Sequence, residues 1–306
     1  MNKNEVAIIG LGPAGVTASI YLKRYGMTPV PFEKDLVGGK TNYTEKIENY
    51  PGYLGVKGPF LGQQFEKQLS GFDIKPIYRE VTELSLNPDN TFKIKYGKEE
   101  RDFRYVIIAN GLKQRELHLK GEENFNRRGF SSCAICDGPF YKGKDVIVVG
   151  AGNAAFEEAC YLAEIANRVY LLARRKEFKA QEEVIERFRS YPNGKIYAPY
   201  EAISCTGEKS LEIVTIKNRE TGEEETIKAD GIFTYIGADP TLDFLKIEGL
   251  KDKDGFLATD SQMETKIKNL FAVGDCRDTG LRQVVTACND GAIAASAIHQ
   301  DYLSQK

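Results

Sequence analysis

The residues with the clearest chemical potential are two cysteines separated by two residues, in the stretch CAICDG from Cys133 to Gly138. A pair at this spacing can bind zinc, form a structural disulfide or carry electrons. A structural zinc site needs four ligands, and the chain offers only His118 and His299 besides its cysteines, with no second closely spaced pair. Because too few ligands are available, a zinc site is disfavoured. A structural disulfide and a redox-active pair both remain open.

The remaining cysteines show no recognised spacing and are expected to be buried thiols: Cys160, Cys205, Cys276 and Cys288. The chain enters an apolar run at once after MNKNE, without a cleavable leader, and no apolar stretch approaches the roughly 20 residues that a bilayer requires. We therefore expect a cytoplasmic protein with no membrane association.

Length and charge narrow the class of protein further. A chain of 306 residues with 42% hydrophobic content can bury two medium-sized cores, so two globular domains are expected. Its net charge of −2 and the lack of a long basic run argue against a nucleic-acid partner.

The same short unit occurs twice. Residues 6–15 read VAIIGLGPAG and residues 146–155 read VIVVGAGNAA, each an apolar run followed by a glycine motif and a helical pattern. Glycines at these positions allow a tight turn and let a pyrophosphate approach the helix N-terminus. The sequence therefore predicts two dinucleotide sites. The residues of the first motif are Gly10, Gly12, Pro13, Ala14 and Gly15, and those of the second are Gly150, Gly152 and Ala155.

The residue at the end of the second strand differs between the two units. Glu33 can accept hydrogen bonds from ribose hydroxyls, which suits FAD. Arg174 and Arg175 carry the charge that a ribose 2′-phosphate requires, which suits NADP rather than NAD. The alternative for the two arginines is a solvated basic strand end.

The repetition predicts an α/β fold with two Rossmann-like three-layer nucleotide-binding domains, one inserted in the other. We place the first part of the FAD-binding domain at residues 1–113 and its second part at 244–306. The inserted domain, with the cysteine pair, covers 114–243.

The sequence resembles the low-molecular-weight thioredoxin reductases, class II of the pyridine nucleotide-disulfide oxidoreductases, over essentially its whole length. The matching landmarks are GLGPAG, ENYPG at 48–52, CAICDG directly before the second glycine motif, and VGDC followed by RQVVTACNDGAIAA. The cysteine pair lies in the inserted domain, whereas larger disulfide reductases carry it in the first domain.

The resemblance implies FAD held by the first motif, by Asp275, and by the start of the last helix, whose N-terminus would stabilise negative charge on the reduced flavin. The further FAD contacts that it implies are Glu33, Lys34, Gly39, Lys40, Asn49, Ala109, Gly111, Gly274, Arg282, Gln283 and Val284.

The resemblance also makes Cys133 and Cys136 a redox-active disulfide. Cys136 is expected to exchange electrons with the flavin, Cys133 to attack the disulfide of the partner, and Asp137 to serve as the acid. The implied partner is thioredoxin or a similar small dithiol protein, and the implied assembly is a homodimer. Rotation of the inserted domain is expected at joints near 111–113 and 238–240.

The nucleotide signature departs from the family pattern. Ala173 replaces a histidine, Lys179 replaces an arginine, and Ala154 stands where a hydroxyl residue is usual. Each change removes or weakens a nucleotide contact. We favour NADPH as electron donor because both arginines persist, with reduced ferredoxin and no pyridine nucleotide as the alternative. A small-molecule dithiol oxidase is a further alternative for the whole chain.

Overall fold

The computed structural model describes residues 4–44, 47–125 and 129–305. Its strands, in chain order, are β1 (Glu5–Ile9), β2 (Thr28–Glu33), β3 (Ile77–Tyr78), β4 (Val81–Leu86), β5 (Phe92–Tyr96), β6 (Glu99–Phe103), β7 (Tyr105–Ile108), β8 (Leu112–Gln114), β9 (Phe130–Ser131), β10 (Asp145–Val149), β11 (Arg168–Leu172), β12 (Gly194–Tyr197), β13 (Tyr200–Thr206), β14 (Ile213–Asn218), β15 (Glu224–Lys228), β16 (Gly231–Thr234), β17 (Ala238–Pro240) and β18 (Leu270–Ala272).

The α-helices of the same residues are α1 (Pro13–Arg24), α2 (Gly58–Gly71), α3 (Ala134–Asp137), α4 (Asn153–Ala163), α5 (Glu182–Arg189) and α6 (Val284–Ser304). Among residues 4–44, 47–125 and 129–305, no helix combines the length and the apolar character needed to cross a bilayer.

The chain divides into two compact units. Unit 1 comprises Met1–Lys113 and Asp239–Lys306, and unit 2 comprises Gln114–Ala238. The second boundary thus follows Ala238, where the sequence analysis gave residue 243. Strands β8 and β17, which carry the chain across the two boundaries, pair as a two-stranded sheet.

Unit 1 is built around a five-stranded parallel sheet in the order β18-β7-β1-β2-β3. Alternate side chains of a strand face opposite sides of a sheet. Val6 and Ile8 accordingly pack with the apolar faces of α1 and α6, whereas Ala7 and Ile9 pack with the antiparallel sheet β4-β5-β6. The result is three layers: helices, parallel sheet and antiparallel sheet.

Unit 2 repeats this architecture. Its parallel sheet has the order β12-β11-β10-β16-β9. Val146 and Val148 of β10 pack with α4 and α5, whereas Ile147 and Val149 pack with the antiparallel sheet β13-β14-β15. The predicted α/β fold with two three-layer Rossmann-like halves is confirmed.

Both glycine motifs lie between a strand and a helix, as predicted. Helix α1 ends at Arg24, and Gly26, with φ of +76°, takes the left-handed conformation that follows many helix ends. Strand β2 ends at Glu33 as expected, but β11 ends at Leu172, so Arg174 and Arg175 lie in the loop after the strand.

Candidate redox and nucleotide sites

The first glycine motif forms a tight turn between β1 and α1. Gly10 has φ of +98°, and a Cβ added to it would lie 2.7 Å from the carbonyl oxygen of Ala109. A Cβ on Gly15 would collide with the carbonyl oxygen of Gly10. Gly12 has open space within 4 Å of its Cβ position and an ordinary φ of −66°. The backbone is thus tightly packed at Gly10 and Gly15, whereas there is free space at Gly12. This space lies beside the N–H groups of the first turn of α1, which have no partner within the helix.

A buried carboxylate lies at the end of β2, next to this turn. Glu33 is 8% exposed, and its Oε2 accepts a hydrogen bond of 2.7 Å from the N–H of Leu11. Its Oε1 accepts one of 2.9 Å from the N–H of Asp35. These bonds hold the carboxylate in one place without using all of its acceptor capacity. Lys34 instead forms an exposed ion pair with Glu80 at 3.4 Å.

A second, partly buried carboxyl follows β18. Asp275 lies in the 3₁₀ turn Gly274–Cys276. Burial raises the pKa of Asp275, and the positive charges of Lys40 and Arg282 act in the opposite direction. The structure therefore brings Lys40 close to an acid and a second cation that lie far from it in sequence.

The start of α6 closes the same region of unit 1. Gln283 is the N-cap of α6, whose first residue is Val284, and its Oε1 accepts a hydrogen bond of 3.0 Å from Nδ2 of Asn49. Gly39 lies against the first glycine turn, because a Cβ added to it would be 3.3 Å from the Cα of Gly12. The open glycine, the buried carboxyl of Glu33, the partly buried carboxyl of Asp275 and two helix N-termini fit a dinucleotide cofactor.

Sequence analysis missed one charged pair that supports this region. Asp290 of α6 is 4% exposed and accepts hydrogen bonds from Nε of Arg277 at 2.7 Å and from the N–H of Gly274 at 3.1 Å. The pair fixes the turn that carries Asp275. The signal that could have revealed it is an acidic residue within the small apolar stretch NDGAIAA.

Cys133 and Cys136 form a disulfide in unit 2, with their Cα atoms 5.3 Å apart. Cys133 is the N-cap of the short helix α3, and the N–H of Cys136 donates to its Sγ at 3.2 Å. This donor would stabilise negative charge on the Cys133 sulfur once the pair is reduced. The four other cysteines are free thiols.

Two hydroxyl residues that sequence analysis missed hold the disulfide turn. Ser131 Oγ donates to Oδ2 of Asp137 at 2.6 Å. Tyr235 Oη accepts the N–H of Ala134 at 2.7 Å, and burial raises the pKa of Tyr235. Both residues are distant from the glycine motifs in sequence, so no motif marked them.

The second glycine motif has the same mechanical design as the first. A Cβ on Gly150 would lie 2.7 Å from the Cβ of Ala155 and from the carbonyl oxygen of Tyr235. Gly152 has nothing within 4 Å of its Cβ position. This turn therefore also packs closely on its sheet while leaving space at its middle glycine.

The arginines after β11 are partly engaged by acids. Arg174 Nε lies 3.8 Å from Oε2 of Glu201, and Arg219 Nε lies 3.4 Å from the same oxygen. Arg175 is exposed, while Ala173, which replaces the histidine of the family pattern, is buried. The loop thus offers positive charge to a phosphate, with one carboxylate in competition.

Comparison with known proteins gives nearly full-length matches. Residues 4–291 match the family described as pyridine nucleotide-disulphide oxidoreductase. The thioredoxin reductase of Ureaplasma parvum serovar 3 is 39% identical over 292 residues, which are 95% of this chain and 94% of that protein.

Solved structures of thioredoxin reductases also match this chain over nearly its whole length. The thioredoxin reductase of Streptococcus pyogenes MGAS5005 is 34% identical with a TM-score of 0.91, and the match covers 100% of both chains. A ferredoxin-flavin thioredoxin reductase from Clostridium acetobutylicum is 29% identical with a TM-score of 0.53, and the match covers 99% of this chain and 98% of that one.

Proposed function

We propose that this chain, which belongs to the low-molecular-weight thioredoxin reductases of the pyridine nucleotide-disulphide oxidoreductase family, passes electrons through the Cys133–Cys136 pair to the disulfide of thioredoxin. The observation that carries the proposal is the disulfide on a short helical turn, with the carboxyl of Asp137 tied to that turn. The comparisons favour this reading over a small-molecule dithiol oxidase, because the named relatives are thioredoxin reductases.

The exchange requires two sulfurs with different tasks. The reduced Cys133 thiolate attacks one sulfur of the partner disulfide, which forms a mixed disulfide and releases the other partner sulfur to take a proton. Cys136 then attacks the Cys133 sulfur, which releases the second partner thiol and restores the Cys133–Cys136 disulfide. Two electrons leave the pair in each cycle. The N–H of Cys136, aimed at the Cys133 sulfur, supports this division of roles.

FAD is the proposed cofactor of unit 1. The first glycine turn would hold its pyrophosphate, Glu33 its ribose, and Asp275 with Lys40 and Arg282 the remaining polar groups. When bound, the flavin supplies the two-electron chemistry that reduces the disulfide. The open Cβ space at Gly12 and the buried carboxylate of Glu33 support this choice.

NADPH is the proposed donor, held by the second glycine turn, Arg174 and Arg175. The open space at Gly152 and the exposed side chain of Arg175 support it. Reduced ferredoxin is the second candidate. It is favoured by Glu201, which competes for Arg174, and by the likeness to a ferredoxin-flavin thioredoxin reductase.

An anaerobic titration tests these proposals. The purified chain is treated with NADPH or with reduced ferredoxin while the flavin absorbance and thioredoxin reduction are followed. We expect NADPH to bleach the flavin and to support turnover. A flavin that stays oxidised with millimolar NADPH, but is reduced by ferredoxin, would contradict the proposal that NADPH is the donor. The proposed thioredoxin reductase activity would still stand.

Cysteine variants test the proposed path of electrons from the flavin through the Cys133–Cys136 pair to thioredoxin. Cys136→Ser should abolish thioredoxin reduction and leave the reduction of the flavin intact, whereas Cys205→Ala, a buried thiol in β13, should change neither. Loss of flavin from Cys136→Ser would contradict the role given to Cys136.

The location and assembly are also proposals. Free thiols at Cys160, Cys205, Cys276 and Cys288 support a reducing compartment, which we take to be the cytoplasm. The family resemblance supports a homodimer, and thioredoxin or a similar small dithiol protein as the partner.

A further inference from the structure

One hydroxyl connects the carboxyl of Asp137 to the backbone of the disulfide turn. Ser131 Oγ donates to Oδ2 of Asp137 at 2.6 Å and accepts the N–H of Cys133 at 3.1 Å. Its distance to the carbonyl oxygen of Cys133 is longer, 3.4 Å. A hydroxyl has a single proton, and the much shorter distance to Oδ2 than to the carbonyl oxygen places this proton in the bond with Asp137.

The sheet, and not the short turn, fixes the position of Ser131. Ser131 ends strand β9, which pairs with β16 in a parallel register that places Ser131 opposite Phe233. The hydroxyl of Thr234 donates to the carbonyl oxygen of Ser131 at 3.3 Å, and the N–H of Ile232 donates to the carbonyl oxygen of Gly129 at 2.6 Å. The hydroxyl is therefore held on a regular element while the acid lies at the end of a four-residue helix.

On the basis of the function proposed above, we propose that Ser131 is the positioning residue for proton transfer at the Cys133–Cys136 disulfide. When an attacking thiolate forms a bond to one sulfur of the pair, the bond between the two sulfurs breaks and the leaving sulfur takes its electron pair. The Asp137 carboxyl gives that sulfur a proton and becomes a carboxylate. Ser131 donates its hydroxyl hydrogen to this carboxylate and keeps it beside the turn.

The sign of the pH effect follows from this arrangement. Tyr235 is another ionisable group at the turn, and burial together with the charges of Glu158 and Asp137 raises its pKa, so it stays neutral over the tested range. A donor to a carboxylate stabilises the charged form, so a chain without the Ser131 hydroxyl keeps the proton on Asp137 to higher pH. The same chain holds its acid less accurately, which slows the transfer. The two effects oppose each other as pH rises, because Asp137 of the wild type loses its proton at a lower pH than Asp137 of the variant.

The test uses the disulfide alone and needs no bound cofactor. The full-length chain and its variants are reduced with excess dithiothreitol from pH 3.5 to 8.5, a range that begins below the ordinary pKa of an aspartate, and the free thiols are trapped and counted over time. The ratio of the variant rate to the wild-type rate cancels the titration of the reagent. For Ser131→Ala we expect a ratio of about 0.1 at the acidic end, since positioned acids contribute at least this much. The ratio should rise toward 1 over roughly one pH unit.

Ser132→Ala is the matched control, because it removes the hydroxyl of the adjacent serine. Its rate ratio should stay near 1 at every pH. Ser131→Thr should restore the wild-type profile, while Ser131→Val, which has the same shape without a hydroxyl, should behave like Ser131→Ala. This pair decides the question if the alanine variant fails to fold.

A Ser131→Ala ratio that is below 1 but constant with pH would show a purely structural effect and overturn the proposal, as would a ratio near 1 throughout. Failure of the wider function looks different. Suppose that the chain does not reduce thioredoxin, yet the rate ratio still rises with pH when dithiothreitol is the reductant. That result would contradict thioredoxin as the partner and would still support the positioning role of Ser131.

Discussion

The backbone N–H of Ala134 donates a hydrogen bond of 2.7 Å to the hydroxyl oxygen of Tyr235, a residue 101 positions further along the chain. Tyr235 follows β16 directly, and its own N–H donates to the carbonyl oxygen of Val149 at 2.8 Å. Its carbonyl oxygen lies against Gly150, the first glycine of the second motif. Through its backbone and its hydroxyl, this one residue therefore connects the glycine turn of unit 2 with the turn that carries the disulfide.

Tyr235→Phe keeps the ring and removes the hydroxyl that accepts the Ala134 N–H. Because burial raises the pKa of Tyr235, the wild-type hydroxyl is neutral throughout the ordinary pH range. A buried N–H left without its acceptor costs about 1–2 kcal/mol. We expect thermal unfolding of unit 2 to move down by a few degrees, as measured by calorimetry. Tyr191→Phe, whose hydroxyl bonds the exposed Glu164, serves as control, and an equal shift in both variants would contradict the argument.

Much of this architecture could be predicted from sequence because the signals are local. The apolar runs before Gly10 and Gly150 and the helical patterns after them follow directly from strand and helix periodicity. The antiparallel sheets β4-β5-β6 and β13-β14-β15 were not predicted. Their strands are short and partly polar, and their apolar sides are explained only by the parallel sheets on which they pack.

The glycines of the first turn differ in what a methyl group would meet. Gly12→Ala places its Cβ in open space at an ordinary φ, so the apoprotein should fold as well as the wild type. The methyl group would occupy the space that a pyrophosphate needs, and we expect at least a tenfold loss of FAD affinity. Flavin retained after gel filtration, measured by absorbance, checks this.

The matched variants separate folding from binding. Gly15→Ala collides with the Gly10 carbonyl oxygen and should yield little folded protein. Gly71→Ala, in α2 and with nothing within 4 Å, should leave both folding and flavin content unchanged. Full flavin content in Gly12→Ala would place the pyrophosphate elsewhere.

The buried pair of Asp290 and Arg277 shows why part of the site escaped sequence analysis. Neither residue belongs to a glycine motif, and their contact depends on α6 returning to the turn after β18. Such contacts are set by tertiary packing, so a linear pattern shows at most the isolated acid in NDGAIAA and not its partner. The same holds for Ser131 and Tyr235.

Asp290→Asn should destabilise unit 1 strongly, because it leaves the largely buried Arg277 guanidinium without its anionic partner. Breaking a buried ion pair from one side typically costs about 3–5 kcal/mol. We also expect lower flavin retention, since Asp290 holds the N–H of Gly274. Denaturant unfolding measures the first effect. Glu186→Gln, which removes an exposed partner of Arg189, should change little, and similar stability of the two variants would contradict the role of Asp290.

The choice of electron donor depends on whether the arginines after β11 are available to a phosphate. Glu201 lies within ion-pair distance of Arg174 and Arg219, so its carboxylate would compete with the 2′-phosphate of a bound NADPH for the same charges. Glu201→Gln should therefore strengthen NADPH binding by about fivefold, the size of a partly exposed ion pair, and leave NADH binding unchanged. Titration calorimetry with both nucleotides measures the difference.

Two further variants complete this test of the donor. Gly152→Ala should weaken both nucleotides, because its methyl group enters the open space of the second turn. Glu224→Gln removes a carboxylate that pairs with Lys217 and should have no effect on either nucleotide. If neither wild type nor Glu201→Gln binds NADPH at millimolar concentration, the second turn is not a nucleotide site. A one-electron carrier such as ferredoxin, the second candidate, would then be the favoured donor.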